Sequence, residues 1–384
     1  MNSKIDFDAP QSRYDRQERI TWWNQDALLN SKVLVVGTRA LGYEIVKNLA
    51  LLGIGEIQIL DMDSIERSNL ARCALFRDHH QGQPKATSLA DSASSINPDC
   101  KIIGHVMSVQ EFGSASLMDF DLIIAGLDNL EARLWLNKAA RHINKLWIDG
   151  AIEGLQGIVR VFPPSGACLE CTLSEQDHVN LSHRRSCALL TPEELNSGKT
   201  PTNSTSASVV AGLEVQEAVK YIVGRHDLLA LNNKVWRLDG ETMMTSVMGF
   251  FEDEYCLSHD TYENISEEKS AKLSWTELFE SYKFKTGESV EAVDFEDDIL
   301  VISKCPACLE SKPLYGLRSL LPAGAGKCLA CKAELDISST SSFSPNDLEK
   351  LPALDSWYWP LSEFITLRST NNRVHQPIRK ERSK

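Results

Sequence analysis

Residues 33–37 form a β-branched run that closes on Gly37, and from residue 42 to residue 52 apolar side chains recur at helical spacing. A strand that passes through a glycine-bounded turn straight into a helix commits the chain to an α/β architecture, because the helix must fold back over the strand to bury its apolar face. The pattern continues. Residues 57–61 read as the next strand, 85–96 as a helix, 101–106 as a strand, 121–126 as a buried strand and 130–143 as a helix. Residues 146–149 and 157–162 are further strands, and 206–223 is a long helix carrying Val210, Leu213, Val215, Ala218 and Ile222. A last strand is expected at 234–239. This alternation predicts a Rossmann-like, mostly parallel sheet with helices on both faces.

The segment 191–205 is rich in Thr, Ser, Asn, Gly and Pro and reads as a crossover loop. From about residue 266 the texture changes to a helix at 275–282, then to short strands around two cysteine pairs. The expected division is an α/β domain over 1–262 with its crossover loop near 178–205, a small C-terminal domain over 263–370, and a tail at 371–384. That tail holds five basic residues against one acidic and is expected to be disordered. A chain of 384 residues exceeds what one hydrophobic core usually serves, which agrees with two domains.

The formal net charge of −13 excludes a general nucleic-acid or membrane-surface role, since both need a cationic face. No apolar stretch of signal-peptide type occurs in the first twenty residues, and no run approaches 18 uninterrupted apolar residues, so a soluble, cytoplasmic protein is expected. Six of the ten cysteines stand in three Cys-x-x-Cys pairs, which in a chain of this size point to metal binding or thiol chemistry.

The turn from Gly37 to Gly42 would let phosphate oxygens approach backbone N–H groups at the positive end of a helix dipole. Asp61, 24 residues after Gly37 and at the end of the second strand, is placed to accept hydrogen bonds from ribose hydroxyls. These two features suit an NAD site as well as an ATP site, although Arg39 stands where a dinucleotide site expects its middle glycine. Arg72, Lys85 and Asp128 separate the two readings. Cleaving ATP needs cations on its phosphates and a carboxylate for Mg²⁺, and an NAD site needs neither.

In order, Arg13-Tyr14-Asp15-Arg16-Gln17, Gly37-Thr38-Arg39-Ala40-Leu41-Gly42, Asp61-Met62-Asp63, Ser68-Asn69-Leu70-Ala71-Arg72, Gly82-Gln83-Pro84-Lys85 and Leu127-Asp128-Asn129 resemble the ThiF/MoeB superfamily of ubiquitin-activating-type enzymes over roughly residues 12–259. Members adenylate the C-terminal glycine of a ubiquitin-like or sulfur-carrier protein. The resemblance implies that Asp61 binds ribose, that Asn69, Arg72 and Lys85 contact the phosphates, and that Asp128 organises Mg²⁺ and the reacting α-phosphate. Gly37, Arg39, Gly42, Asp63 and Leu127, in the same motifs, complete the nucleotide-binding residues that the resemblance implies. Arg16 resembles the arginine that family dimers insert into the neighbouring subunit's ATP site, which implies a homodimer. Arg39 departs from the small residue usual in active members. Gly-x-Arg/Lys-x-x-Gly versions resemble non-catalytic halves of heterodimeric activating enzymes, whereas the retained Arg72, Lys85 and Asp128 favour activity.

Cys168-x-x-Cys171 and Cys256-x-x-His259 supply the four ligands of a closed tetrahedral zinc site, and family members place two Cys-x-x-Cys pairs at corresponding points. Cys305-x-x-Cys308 and Cys328-x-x-Cys331, with 19 residues between the pairs, match zinc-ribbon spacing over 305–331 and predict a second structural zinc. Cys187 follows Arg184 and Arg185, two cations that would favour its thiolate. In the resembling enzymes a cysteine of this region attacks the adenylate to form a thioester, which implies a conjugating enzyme as acceptor. Chains of this kind with a C-terminal extension also resemble the activating components of bacterial ubiquitin-like conjugation operons. The rival expectations are a sulfur-carrier adenylyltransferase of thiamine or molybdopterin synthesis and a non-catalytic nucleotide-binding scaffold.

Overall fold

The structure, a computed structural model, describes residues 12–174, 177, 201–266, 274–321, 325–352 and 354–380. Two short helices, α1 (Asp15–Glu18) and α2 (Gln25–Leu29), lead into strand β1 (Lys32–Val36), helix α3 (Ala40–Leu52) and strand β2 (Glu56–Leu60). Helix α4 (Lys85–Ser94), β3 (Lys101–His105), the short α5 (Val109–Phe112), β4 (Leu122–Ala125), α6 (Leu130–His142) and β5 (Trp147–Glu153) follow. Then come β6 (Gln156–Phe162), α7 (Ser204–Ile222), β7 (Lys234–Asp239) and β8 (Met244–Gly249).

These strands form one eight-stranded sheet in the order β3-β2-β1-β4-β5-β6-β7-β8. β3, β2, β1, β4 and β5 run parallel, and β6 to β8 are antiparallel. The order reverses between β1 and β4, the switch point where such sheets bind ligands beyond their carboxyl ends. β1 is apolar on both faces because both are covered. Val33 and Val35 join the core shared with α3, α4 and α7, while Leu34 and Val36 join the one shared with α5 and α6.

The C-terminal part has its own core around Trp357, Phe295 and Val293. Helix α8 (Trp275–Thr286) precedes the 13-residue strand β9 (Ala292–Lys304). The other strands are β10 (Ser311–Leu317), β11 (Asp336–Phe343), β12 (Ser362–Arg368) and β13 (Arg373–Arg379). β9 pairs with β11, with β10 toward its C-terminal end and with β12 toward its N-terminal end, all antiparallel. Contacts cross between the two parts. Glu363 of β12 accepts from the backbone and hydroxyl of Ser114, and burial raises its carboxyl to about 7. Tyr262 donates to Glu296 at 2.7 Å and stacks on His375 with ring centroids 3.8 Å apart.

Two expectations are corrected. Residues 373–379 of the basic tail form β13, paired with β12 in register from Ser362 opposite Arg379 to Arg368 opposite Arg373. Charge hid the strand, but Ile378 is buried in the C-terminal core, and an edge position tolerates Pro377. The strand at 234–239 is followed by another, β8, whose six residues are all exposed, so no buried face imprinted an alternation on its sequence. Cys187 and most of the expected crossover loop lie outside the described residues. Among the described residues, no helix is long and apolar enough to cross a membrane.

Candidate functional site

The turn after β1 is built on backbone proximity. Gly37 has φ +88°, and a side chain there would bring its Cβ within 2.9 Å of the Gly126 carbonyl oxygen. A Cβ on Gly42 would lie 1.7 Å from the Gly37 carbonyl oxygen, so the turn closes only with glycine at both ends. Asp61, at the end of β2, braces it. One carboxylate oxygen accepts from the backbone N–H and the hydroxyl of Thr38, both at 2.7 Å, and the other accepts from the Asp63 N–H at 2.8 Å.

Beside this turn lies a cavity of about 310 Å³, lined among others by Arg39, Arg72, Asp128, Arg133, Glu153 and Thr202. That is the small end of the range for small-molecule sites. The Arg39 guanidinium stands 2.6 Å from the Asp128 carboxylate, and Arg72 donates to the Thr202 hydroxyl. Gly126 and Leu127 also line the cavity. The other expected residues among those described do not line it. Lys85 is almost buried and pairs with Asp63 at 2.8 Å. Asn69 is buried and accepts from the Glu66 N–H at 2.9 Å, so its side chain shapes the loop that carries Arg72. Arg16 is exposed on α1 and lies 3.9 Å from Asp15, away from this cavity of its own chain.

Sequence reasoning missed the framework beneath Asp128. Asn129 caps α6 by accepting from the Ala132 N–H at 2.7 Å, and the next turn brings Arg133 under the loop. Arg133 donates to the Leu127 carbonyl, to the Gly150 carbonyl at 2.9 Å and to Asp149 at 2.8 Å. Asp149 is fully buried and also receives two bonds from Arg160, so it joins two guanidiniums. The signal was present: a lone acid at the end of an apolar strand must be paired. Glu214 of α7 is also fully buried, and neither of its oxygens has a hydrogen-bond partner among the described residues. Burial, with Asp149 close by, pushes its carboxyl well above the ordinary range.

Two clusters could hold metal ions, Cys168, Cys171, Cys256 and His259, and Cys305, Cys308, Cys328 and Cys331. In the first, Cys168 Sγ is 3.8 Å from Cys171 Sγ and 3.6 Å from Cys256 Sγ, and Cys171 Sγ is 3.1 Å from His259 Nε2. A tetrahedral zinc thiolate with bonds of about 2.3 Å requires S–S separations of about 3.8 Å, so the donor set fits. Glu252 lies 3.4 Å from His259 Nδ1, on the side opposite the sulfur, as an outer partner of a metal-bound histidine would. Burial raises the Cys168 and Cys256 thiols, a cost that a divalent cation offsets by holding thiolates.

In the second cluster Cys305 Sγ and Cys331 Sγ are 3.5 Å apart. The two turns match. Leu309 and Lys332 each follow the second cysteine of their pair with φ of 59° and 62°, and each donates its N–H to the carbonyl of the first cysteine at 2.9 Å. Left-handed backbone at two non-glycine residues is costly and is repeated here by both pairs.

The chain is similar to known proteins in sequence and in fold. The model of the ThiF family matches residues 14–257. The chain is 35% identical over 178 residues to the NEDD8-activating enzyme E1 catalytic subunit of Caenorhabditis elegans, covering 41% of each chain. It is 35% identical over 165 residues to the same subunit of Saccharomyces cerevisiae, covering 39% of this chain and 55% of the relative. SUMO-activating enzyme subunit 2 of Dictyostelium discoideum is 37% identical over 149 residues, covering 38% of this chain and 22% of the relative. The chain thus spans less than two thirds of these relatives' length. Among solved structures, E. coli MccB with ATP shares the fold with TM-score 0.55 and 21% identity, covering 66% of this chain and 75% of its own. The matched span runs from α1 through the cavity to the first cysteine of the Cys256–His259 pair, and the chain belongs to the ThiF family.

Proposed function

We propose that this protein activates a ubiquitin-like protein: it adenylates the C-terminal glycine and then carries that protein as a thioester. The observation that supports this best is the cavity at the β1/β4 switch point, where Arg39, Arg72 and Asp128 meet in a chain related to catalytic subunits of ubiquitin-like activating enzymes.

A carboxylate oxygen of the carrier attacks the α-phosphorus of ATP and pyrophosphate leaves, giving an acyl adenylate. The Cys187 thiolate then attacks the acyl carbon, AMP leaves and a thioester forms. Asp61 lies next to the Gly37 turn, where a ribose would rest, and Arg72 and Lys85 supply positive charge toward the phosphates. Asp128 offers the hard oxygen donors that suit Mg²⁺, whose chemistry is to neutralise phosphate charge. Arg133 holds the Leu127 carbonyl and so fixes the loop that presents Asp128. Binding, orientation and charge neutralisation are what these residues contribute.

The homodimer places Arg16 of one subunit at the other's ATP site, and the thioester passes to a conjugating-type enzyme. Both cysteine clusters hold structural zinc. The first ties the segment after β6 to the segment after β8. The second forms the zinc ribbon of a C-terminal domain that offers a docking surface for carrier or conjugating enzyme.

The test is incubation with MgATP and a panel of ubiquitin-like proteins, followed by non-reducing electrophoresis. A DTT-sensitive adduct is expected with the wild type and lost in Cys187→Ala, while pyrophosphate release persists in both. Pyrophosphate release with no adduct in either protein would leave adenylation standing and remove the thioester step.

A further inference from the structure

Arg39 occupies the one position of the nucleotide turn that departs from the small residue expected there, and its guanidinium is 2.6 Å from the Asp128 carboxylate. Neither side chain has another ion-pair partner among the described residues, although Glu153 lines the same cavity. Arg133, the third arginine of the lining, is committed to Asp149 and two carbonyls, and Arg72 to the Thr202 hydroxyl. In this state the carboxylate that a divalent cation would use is already neutralised by a protein cation.

We propose that Arg39 is a positioning residue that competes with the divalent cation for Asp128, so that metal-free nucleotide is tolerated and the metal's gain in affinity is reduced. This rests on the adenylation reading. Charge sets the direction of each effect. With Arg39 paired to Asp128, the negative phosphates of metal-free ATP meet a neutral pair and Arg72. Without Arg39 they meet a bare carboxylate and are repelled. When Mg²⁺ arrives with ATP it must take Asp128 from Arg39, and the released guanidinium is left beside the phosphates. Arg39 therefore strengthens binding of ATP alone more than binding with Mg²⁺, and in doing so narrows the gain that the metal adds.

The discriminating quantity is the ratio of ATP dissociation constants without and with Mg²⁺, measured on the full-length protein by calorimetry in EDTA and in excess MgCl₂. A half-exposed ion pair changes an equilibrium by no more than several-fold. That single pair acts once on the ratio, so Arg39→Ala is expected to widen it by about threefold to fivefold. Arg39→Lys, which keeps a charge without the planar fork, should fall between wild type and alanine. In an Asp128→Asn background the ratio should collapse, and adding Arg39→Ala should not change it further. A ratio unchanged by Arg39→Ala, or changed equally in the wild-type and Asp128→Asn backgrounds, would overturn the proposal while leaving the adenylation reading intact. No ATP binding by any of the proteins, with or without metal, would remove both together.

Discussion

Replacing Asp128 with alanine is expected to lower carrier-dependent exchange of pyrophosphate into ATP by about 10²- to 10³-fold, the size of one preorganised electrostatic contact in an active site. Asp128 lines the cavity, and its only ion-pair partner among the described residues is Arg39, in the nucleotide turn. Its side chain is 40% exposed, so the thermal midpoint should move little. A large drop in exchange with an unchanged melt would place the residue in the chemistry. Exchange that persists near wild-type rate would remove Asp128 from the site.

The second large effect is on folding. Asp149→Ala should destabilise the protein by about 3–5 kcal/mol, because it leaves the Arg133 and Arg160 guanidiniums nearly buried and without their carboxylate. For a domain of this size that corresponds to a fall of roughly 10 °C in thermal midpoint, read by calorimetry. The same network carries Leu127, so residual folded protein should also lose exchange activity. Asp149→Asn, which keeps an acceptor oxygen but no charge, should cost less. An alanine variant within about 0.5 kcal/mol of wild type, the range of an ordinary surface change, would mean that the arginines find other partners.

The first half of the sheet was readable because β1, β2 and β4 are short, largely apolar buried runs and the helices between them are longer, so the hydrophobic period changes from run to run. Sequence placed the helix around residues 130–143, and the structure has Leu130–His142. What the sequence hid are elements whose formation depends on partners far along the chain. β8 shows no period because all its residues face solvent, and β13 looks like a tail until β12 pairs with it. The site divides in the same way. Gly37, Gly42, Asp61 and Asp128 follow local rules of turns and strand ends. The Asp149 cluster joins α6, β5 and β6, and no local rule connects Arg133 to Arg160. The pairing of Arg39 with Asp128, 89 positions apart, was equally invisible.

In the proposed reaction the carrier's own carboxylate is joined to AMP. Hydroxylamine reports that bond, since it attacks an acyl adenylate to give a hydroxamate. After incubation of the protein with MgATP, a panel of ubiquitin-like proteins and hydroxylamine, intact-mass analysis should find a C-terminal hydroxamate on the cognate carrier. It should depend on ATP and fall sharply with Asp128→Ala. Release of ADP and phosphate, or no ATP-dependent change on any carrier while ATP is bound, would contradict adenylation.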